Sequence, residues 1–246
     1  QWPAIRSLLR TGLPIGVTVT MEGSLFVVTA LLIGRLGEVE AAAHQIAINV
    51  ASLCFMIPFG VAEATTVRVG HALGRGDRDG IRRAYFAGLV LVLGTQALSA
   101  LVMLFGNPAI AGDAEPDRAA AVDRQHAGGR PVHHRCRGRR ARGLAAAVCG
   151  AVPVPDGIQV LSAGALRGLN DTRVPMWLAA LAYWGIGMPV GAGLGLALDW
   201  GPKGMWLGLT AGLSVAAFLL CRRFLRSSRR VPISEPAPSV TVTDAA

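Results

Sequence analysis

Glu22 stands in Val19-Thr20-Met21-Glu22-Gly23-Ser24, near the middle of an otherwise uncharged apolar block. A charged side chain at that depth of a bilayer costs about 2.5–3.5 kcal/mol on insertion scales. Such groups persist mostly where they face a cavity and hold a proton or a cation. A carboxyl kept protonated by apolar surroundings and ionised by a bound cation would be a coupling switch in one residue. The plainer alternative is a protonated Glu hydrogen-bonded to a neighbouring helix. Asp156, in Val154-Pro155-Asp156-Gly157-Ile158-Gln159, is the second acid. Pro155 removes a backbone donor and frees a carbonyl, so broken-helix backbone and carboxylate together suit a cation; a loop aspartate is the equal alternative. His44, Gln45 and Asn49 sit early in another apolar block. Gln45 and Asn49 are four residues apart and share a helix face. Hydrogen bonding between helices is the simpler role for these three, and lining a polar cavity is the functional one.

No nucleophile–base arrangement or metal-ligand spacing emerges, so neither an enzyme nor a cofactor is expected. No metal is expected beyond a Na⁺ at Glu22 and Asp156. The cysteines, Cys54, Cys136, Cys149 and Cys221, fit neither a disulfide framework nor a metal site.

These residues need elements to hold them, and composition says which. The 246 residues are 52% hydrophobic and only 16% charged, with a mean hydropathy of +0.46. Soluble domains carry about 25% charged residues, so an ordinary wetted surface is excluded. The apolar residues fall in blocks of about twenty, the length needed to cross roughly 30 Å of hydrocarbon. Lipid offers the backbone no hydrogen bonds, so each block is a helix. Six spans are predicted, at about Leu13–Ile33, Ala41–Val67, Ala84–Ala111, Leu144–Leu166, Val174–Leu198 and Gly204–Leu220. Pro14 falls in the first turn of the first, where it costs little; Pro58 and Gly60 predict a kink in the second. Trp177, Trp184, Trp200 and Trp206 read as an interfacial belt. Gly187, Gly191, Gly193 and Gly195 permit close helix approach.

The organisation that results is three spans in 1–112, an anomalous segment in 113–143, three spans in 144–230 and a disordered tail in 231–246. The net charge of +9 gathers at block ends, as the positive-inside rule produces. Arg6 and Arg10, the Arg75–Arg83 loop, Arg167 with Arg173, and Arg222–Arg230 fall on one side. Arg35, Glu38, Glu40, Asp199 and Lys203 fall on the other. That bias predicts a multi-pass protein of the plasma (inner) membrane with both termini cytoplasmic. Glu63 and Arg68, five residues apart, are a candidate ion pair. Within 113–143, Arg135-Cys136-Arg137-Gly138-Arg139-Arg140 is foreign to its surroundings. It reads as an insertion that binds acidic lipid or polymer, as a loop without a role, or, the preferred reading, as an out-of-frame stretch of a GC-rich gene. It has no aromatics to stack bases, so nucleic acid is not an expected partner. The chain opens on Gln1 with no signal-peptide pattern and reads as a fragment.

Several stretches taken together resemble the multidrug and toxic compound extrusion (MATE) family. They are Thr11-Gly12-Leu13-Pro14-Ile15-Gly16 with Glu22 following, Ala43-His44-Gln45-Ile46-Ala47-Ile48-Asn49, Val67-Arg68-Val69-Gly70 with Gly74, and Asp156-Gly157-Ile158-Gln159-Val160. Gly164-Ala165-Leu166-Arg167-Gly168 and Asp171-Thr172-Arg173 complete the set. They occur in the order of the family's second six-helix lobe. The resemblance implies an all-α integral membrane fold, a six-helix bundle equivalent to the second lobe of a twelve-helix transporter. It also implies a Na⁺- or H⁺-coupled antiporter that expels amphipathic, often cationic, drugs by alternating access. Glu22 and Asp156 match the family's coupling acids. Val152 stands where the family carries a tyrosine one turn before that aspartate. The first lobe is then a missing partner, beside the lipid bilayer and the drug. Two other readings stay open: a relative that flips lipid-linked saccharides, and a non-transporting, degenerate membrane fragment.

Overall fold

The computed structural model describes residues 2–112 and 153–231, all of the regular structure among them helical. Among the described residues six elements follow one another: α1 (Trp2–Gly34), α2 (Glu38–Gly74), α3 (Arg78–Gly112), α4 (Pro153–Gly168), α5 (Arg173–Ala197) and α6 (Pro202–Ser228). Within α5 the turns Leu181–Gly187 and Gly193–Ala197 are π-helical. Five of the elements contain a stretch long and apolar enough to cross a membrane: Leu8–Gly34, Glu40–Gly74, Arg78–Leu101, Arg173–Ala197 and Pro202–Ser228. The predicted fourth span is represented by the 16 residues of α4; its earlier part, 144–152, lies outside the described residues. So do the Arg-rich segment and most of the tail.

Chemistry at the connections turns the chain back on itself. Gly76 takes φ +66° between α2 and α3, a left-handed conformation that costs glycine little. Asp77 then caps α3, its Oδ1 accepting from the Gly80 N–H at 2.7 Å. Between α4 and α5, Asn170 takes φ 62°, and Asp171 accepts a 2.8 Å charge-assisted bond from Arg223 Nε near the end of α6. This pair is only about a third exposed on the arginine side and less on the aspartate side. Asp171→Asn should therefore cost about 1–2 kcal/mol, above a surface pair and below a fully buried one. Thermal unfolding in detergent measures it, against Arg83 and Asp77, a looser and more exposed pair at 3.9 Å.

α4 lies centrally, packed against α2, α3 and α6, while α5 lies along α6 and α1 leans on α2 and α5. Small residues let the backbones close. A side chain at Gly164 would put Cβ 2.8 Å from the Ala62 carbonyl oxygen of α2, so α4 reaches α2 only because that position is glycine. Two apolar clusters result. One joins Val69, Ile81, Tyr85, Leu161, Leu166 and Phe224; Tyr85 stacks on Phe224 with centroids 4.1 Å apart, and its hydroxyl lies 2.9 Å from Ser162 Oγ. The other joins Leu25, Ile33, Tyr183, Met205, Trp206 and Leu213.

Several expectations need correction. Pro14 lies well inside α1 rather than in its first turn, because the helix begins at Trp2; the apolar block marks where α1 meets lipid, not where the helix starts. Trp206 does not join an interfacial belt. It is 2% exposed, its ring 5.3 Å from His44, whereas Trp177, Trp184 and Trp200 are exposed. Glu63 pairs with Arg167 of α4 at 2.7 Å instead of Arg68, because α2 and α4 are in close contact there.

Candidate functional site

Three helices bring oxygen atoms to one place between the two apolar clusters. Glu22 comes from the middle of α1 and is half-buried. The first turns of α4 supply Asp156 and, three residues later on the same face, Gln159, which is 2% exposed. The first π-helical turn of α5 supplies Tyr183, fully buried. The Gln159 side chain lies beside both the Glu22 carboxyl and the Tyr183 hydroxyl. Asp156 senses the charge of Glu22, and Tyr183 senses both carboxyls.

Asp156 Oδ1, Gln159 Oε1 and Tyr183 Oη are buried without a hydrogen-bond partner. Leaving a buried polar atom unpaired costs about 1–3 kcal/mol, so three together mark a place arranged for something other than packing. The donors are all oxygen, which suits a hard cation or a proton. Among the described residues no group of three or more His, Cys, Asp and Glu converges, so the softer transition metals have no matching ligand set. Two carboxyls held together in low dielectric repel strongly, and one positive charge between them relieves that.

The shape of the site depends on Gly157. A Cβ there would meet Val92 and Gln96 of α3, so glycine lets α4 bring Asp156 and Gln159 down beside α3. Pro155 sits within the first turn of α4, where a missing N–H costs nothing. Composition thus singled out Glu22 and Asp156, and folding brings them together. His44 parts from Gln45 and Asn49, which stay together on one face. Gln45 Nε2 and Asn49 Oδ1 are 3.4 Å apart on an exposed face of α2, while His44 is 4% exposed against Trp206 with both ring nitrogens unpaired. Gln159 and Tyr183 were missed as site residues. Their signal was a polar group on the same face as Asp156 and a tyrosine within an apolar span. Val152 lies outside the described residues.

Because the Tyr183 hydroxyl has no acceptor, Tyr183→Phe should leave thermal stability in detergent within about 1 kcal/mol of the parent. A larger loss would show that the hydroxyl has a partner in the folded protein.

A model of the MatE family matches residues 14–119, the stretch that carries Glu22. A protein of Xanthomonas axonopodis pv. citri called "Probable multidrug resistance protein NorM" is 61% identical over 231 residues, 94% of this chain and 46% of that one. The chain is similar to the MATE family by sequence over that stretch and by fold over most of its length. The multidrug resistance protein PmpM of Pseudomonas aeruginosa is 44% identical over 241 residues, again 94% of this chain and 46% of the relative. Among solved structures, a mutant of the Vibrio cholerae MATE transporter VcmN superimposes with a TM-score of 0.74 at 17% identity, over 92% of this chain and 47% of that one. An inward-facing MATE transporter gives 0.68 at 16% identity, over 94% and 50%. These likenesses establish the fold. The chain spans about half the length of the curated relatives it matches. With five helices long and apolar enough to cross a membrane, the chain is a multi-pass membrane protein.

Proposed function

We propose that this chain is one lobe, the second, of a multidrug antiporter that exchanges Na⁺ or H⁺ for amphipathic, cationic drugs. The observation that carries the reading is the convergence of Glu22, Asp156, Gln159 and Tyr183 around buried oxygens that lack partners. Glu22 is the main coupling carboxylate and Asp156 its helper. A cation or proton entering between them offsets one of the two negative charges and relieves their repulsion, and its departure restores it. That alternation biases the lobe between two arrangements, which is what coupling requires. The names of the relatives, multidrug resistance proteins, support the drug as cargo. A second lobe supplies the facing wall of the cavity, since alternating access needs two bundles moving around a midplane site. The exposed Gln45–Asn49 pair is suited to that cavity, and His44 is not.

The basic ends of α2, α4 and α6 and the start of α3 lie together, joined by Arg167–Glu63, Arg223–Asp171 and Arg78–Val231. We place that end in the cytoplasm, with the chain in the inner membrane. A lipid-linked saccharide flippase would need cations facing a pyrophosphate at mid-depth. Among the described residues the span arginines lie near helix ends, so that reading is not favoured. The test is to join the chain to a complementary lobe and follow ethidium efflux against an imposed Na⁺ or H⁺ gradient. Efflux that ignores both gradients would sink the proposal.

A further inference from the structure

The end of the bundle opposite the arginines holds a histidine that nothing satisfies. His44 stands in the second turn of α2 and Trp206 in the second turn of α6. Their rings lie 5.3 Å apart at 57°, and both side chains are buried. Leu25 and Ile33 of α1 and Ala179 of α5 belong to the same apolar cluster as Trp206. Neither ring nitrogen of His44 has a hydrogen-bond partner. A neutral imidazole carries one N–H donor and one acceptor lone pair whichever tautomer it adopts, so two polar atoms are left unsatisfied. An apolar side chain would fill the same place without that penalty. What an imidazole offers beyond packing is a proton affinity near neutral pH.

The charged groups at this end are few. Arg35 follows α1, Glu38 and Glu40 open α2, Asp199 follows α5, and Lys203 lies in the first turn of α6. None of them bonds the His44 ring. Deeper in the bundle the next titratable groups are Glu22 of α1 and Tyr183 of α5, which belong to the oxygen cluster. Arg35, Glu38, Asp199 and Lys203 are exposed, and Glu40 is half-buried. Glu40 precedes His44 by four residues and shares its face of α2. Helical side chains lean toward the N-terminal turn, so a rotation of the His44 side chain carries its ring toward Glu40. Against Trp206, a protonated ring would hold two N–H donors and no acceptor. The indole face attracts a cation, but it replaces only part of the hydration that those donors lose. The neutral ring is better served by Trp206, the charged ring by Glu40.

We propose that His44 is a proton-binding site, separate from the Glu22 cluster, that latches the start of α2 to α6. Neutral, it packs on Trp206. Once a proton from the side opposite the arginines joins the free ring nitrogen, the imidazolium turns out to Glu40 and the contact opens. This reading is independent of the transport proposal, since it uses none of the Glu22 site.

The test reads Trp206 directly. Trp2, Trp177, Trp184 and Trp200 are exposed, so phenylalanine at those four positions leaves Trp206 as the sole emitter in the purified chain. Its fluorescence in detergent is followed from about pH 8 to about pH 5, the range in which an unperturbed imidazole changes charge. Emission should change in a single-proton step and shift to the red as water reaches the indole. His44→Gln should abolish the step. His71→Gln, which removes an exposed histidine from the other end of α2, should leave it. Glu40→Gln should move the midpoint to lower pH, because the charged ring loses its acceptor; a histidine that only packs would not respond to that carboxylate. Were His44→Gln to fold poorly, the unsubstituted chain serves. Its amide hydrogen exchange, corrected for the intrinsic effect of pH, should quicken with acid at residues 38–48 and 202–208 and not at 216–228. A step absent from the single-tryptophan chain, retained in His44→Gln or lost in His71→Gln, would overturn the proposal. So would a midpoint indifferent to Glu40→Gln, or exchange that responds to acid uniformly along α2 and α6.

Discussion

Glu22→Gln, in an antiporter carrying this lobe, should bring gradient-driven ethidium efflux down to the level of vesicles without transporter. The substitution changes charge and almost nothing else. Glutamine keeps the length and planar end of Glu22 and can still meet Gln159, which lies beside that carboxyl. A carboxylate and a cation about 4 Å apart at an effective dielectric near 20 attract by about 4 kcal/mol, which is on the order of a thousandfold in occupancy. The amide would offer a dipole in place of that charge, so cation binding would no longer distinguish the two arrangements of the lobe. Asp156 alone cannot compensate, because it enters the site from α4 and leaves the α1 side uncharged. Glu38→Gln is the control: its exposed carboxylate stands in the first turn of α2, outside the oxygen cluster, and efflux should persist. Efflux at the parental rate in Glu22→Gln, at matched protein level in the membrane, would remove Glu22 from the coupling role.

The second large effect concerns the contact between α5 and α6. Gly187, Gly191 and Gly195 of α5 face Gly204, Gly208 and Gly212 of α6. A Cβ on Gly208 would overlap the Gly191 backbone N and Cα. Backbone cannot swing aside as a side-chain tip can, so the two helices would have to separate. Overpacking of that kind costs about 1–3 kcal/mol, and here it would also disturb the helix that presents Tyr183 to the site. Gly208→Ala should lower the unfolding temperature in detergent and reduce the folded yield. Gly193→Ala, whose Cβ would meet nothing within 4 Å, should be neutral or slightly stabilising, as Ala usually is over Gly in a helix. If both variants behaved alike, close backbone approach would not be what holds α5 on α6.

Reading from the sequence succeeded wherever a property is local. A block of twenty apolar residues must become a helix because its backbone has no other partner in lipid, and five such blocks are helices long and apolar enough to cross a membrane. Glu22 announced itself because an acid in such a block is costly whatever surrounds it. The grouping of Arg75–Arg83, Arg167 and Arg222–Arg230 at one end followed from alternating crossings, and the ion pairs and the Arg78–Val231 contact place them there. Helix ends were read short, since hydropathy reports where lipid stops and α1, α2 and α6 run on beyond it.

Tertiary structure decided which residues meet. Spacing along the chain carries no information on which face of α2 turns to α4, so Glu63 was matched with Arg68 when its partner, Arg167, is 104 residues away. Trp206 resembled a belt residue until α2 brought His44 against it. Tyr183 became a neighbour of Glu22 and Asp156 only through the packing of α5 along the glycine face of α6. Membrane insertion depends on the polarity of each segment taken alone, whereas a binding site depends on side chains from separate segments arriving together, and only packing determines that.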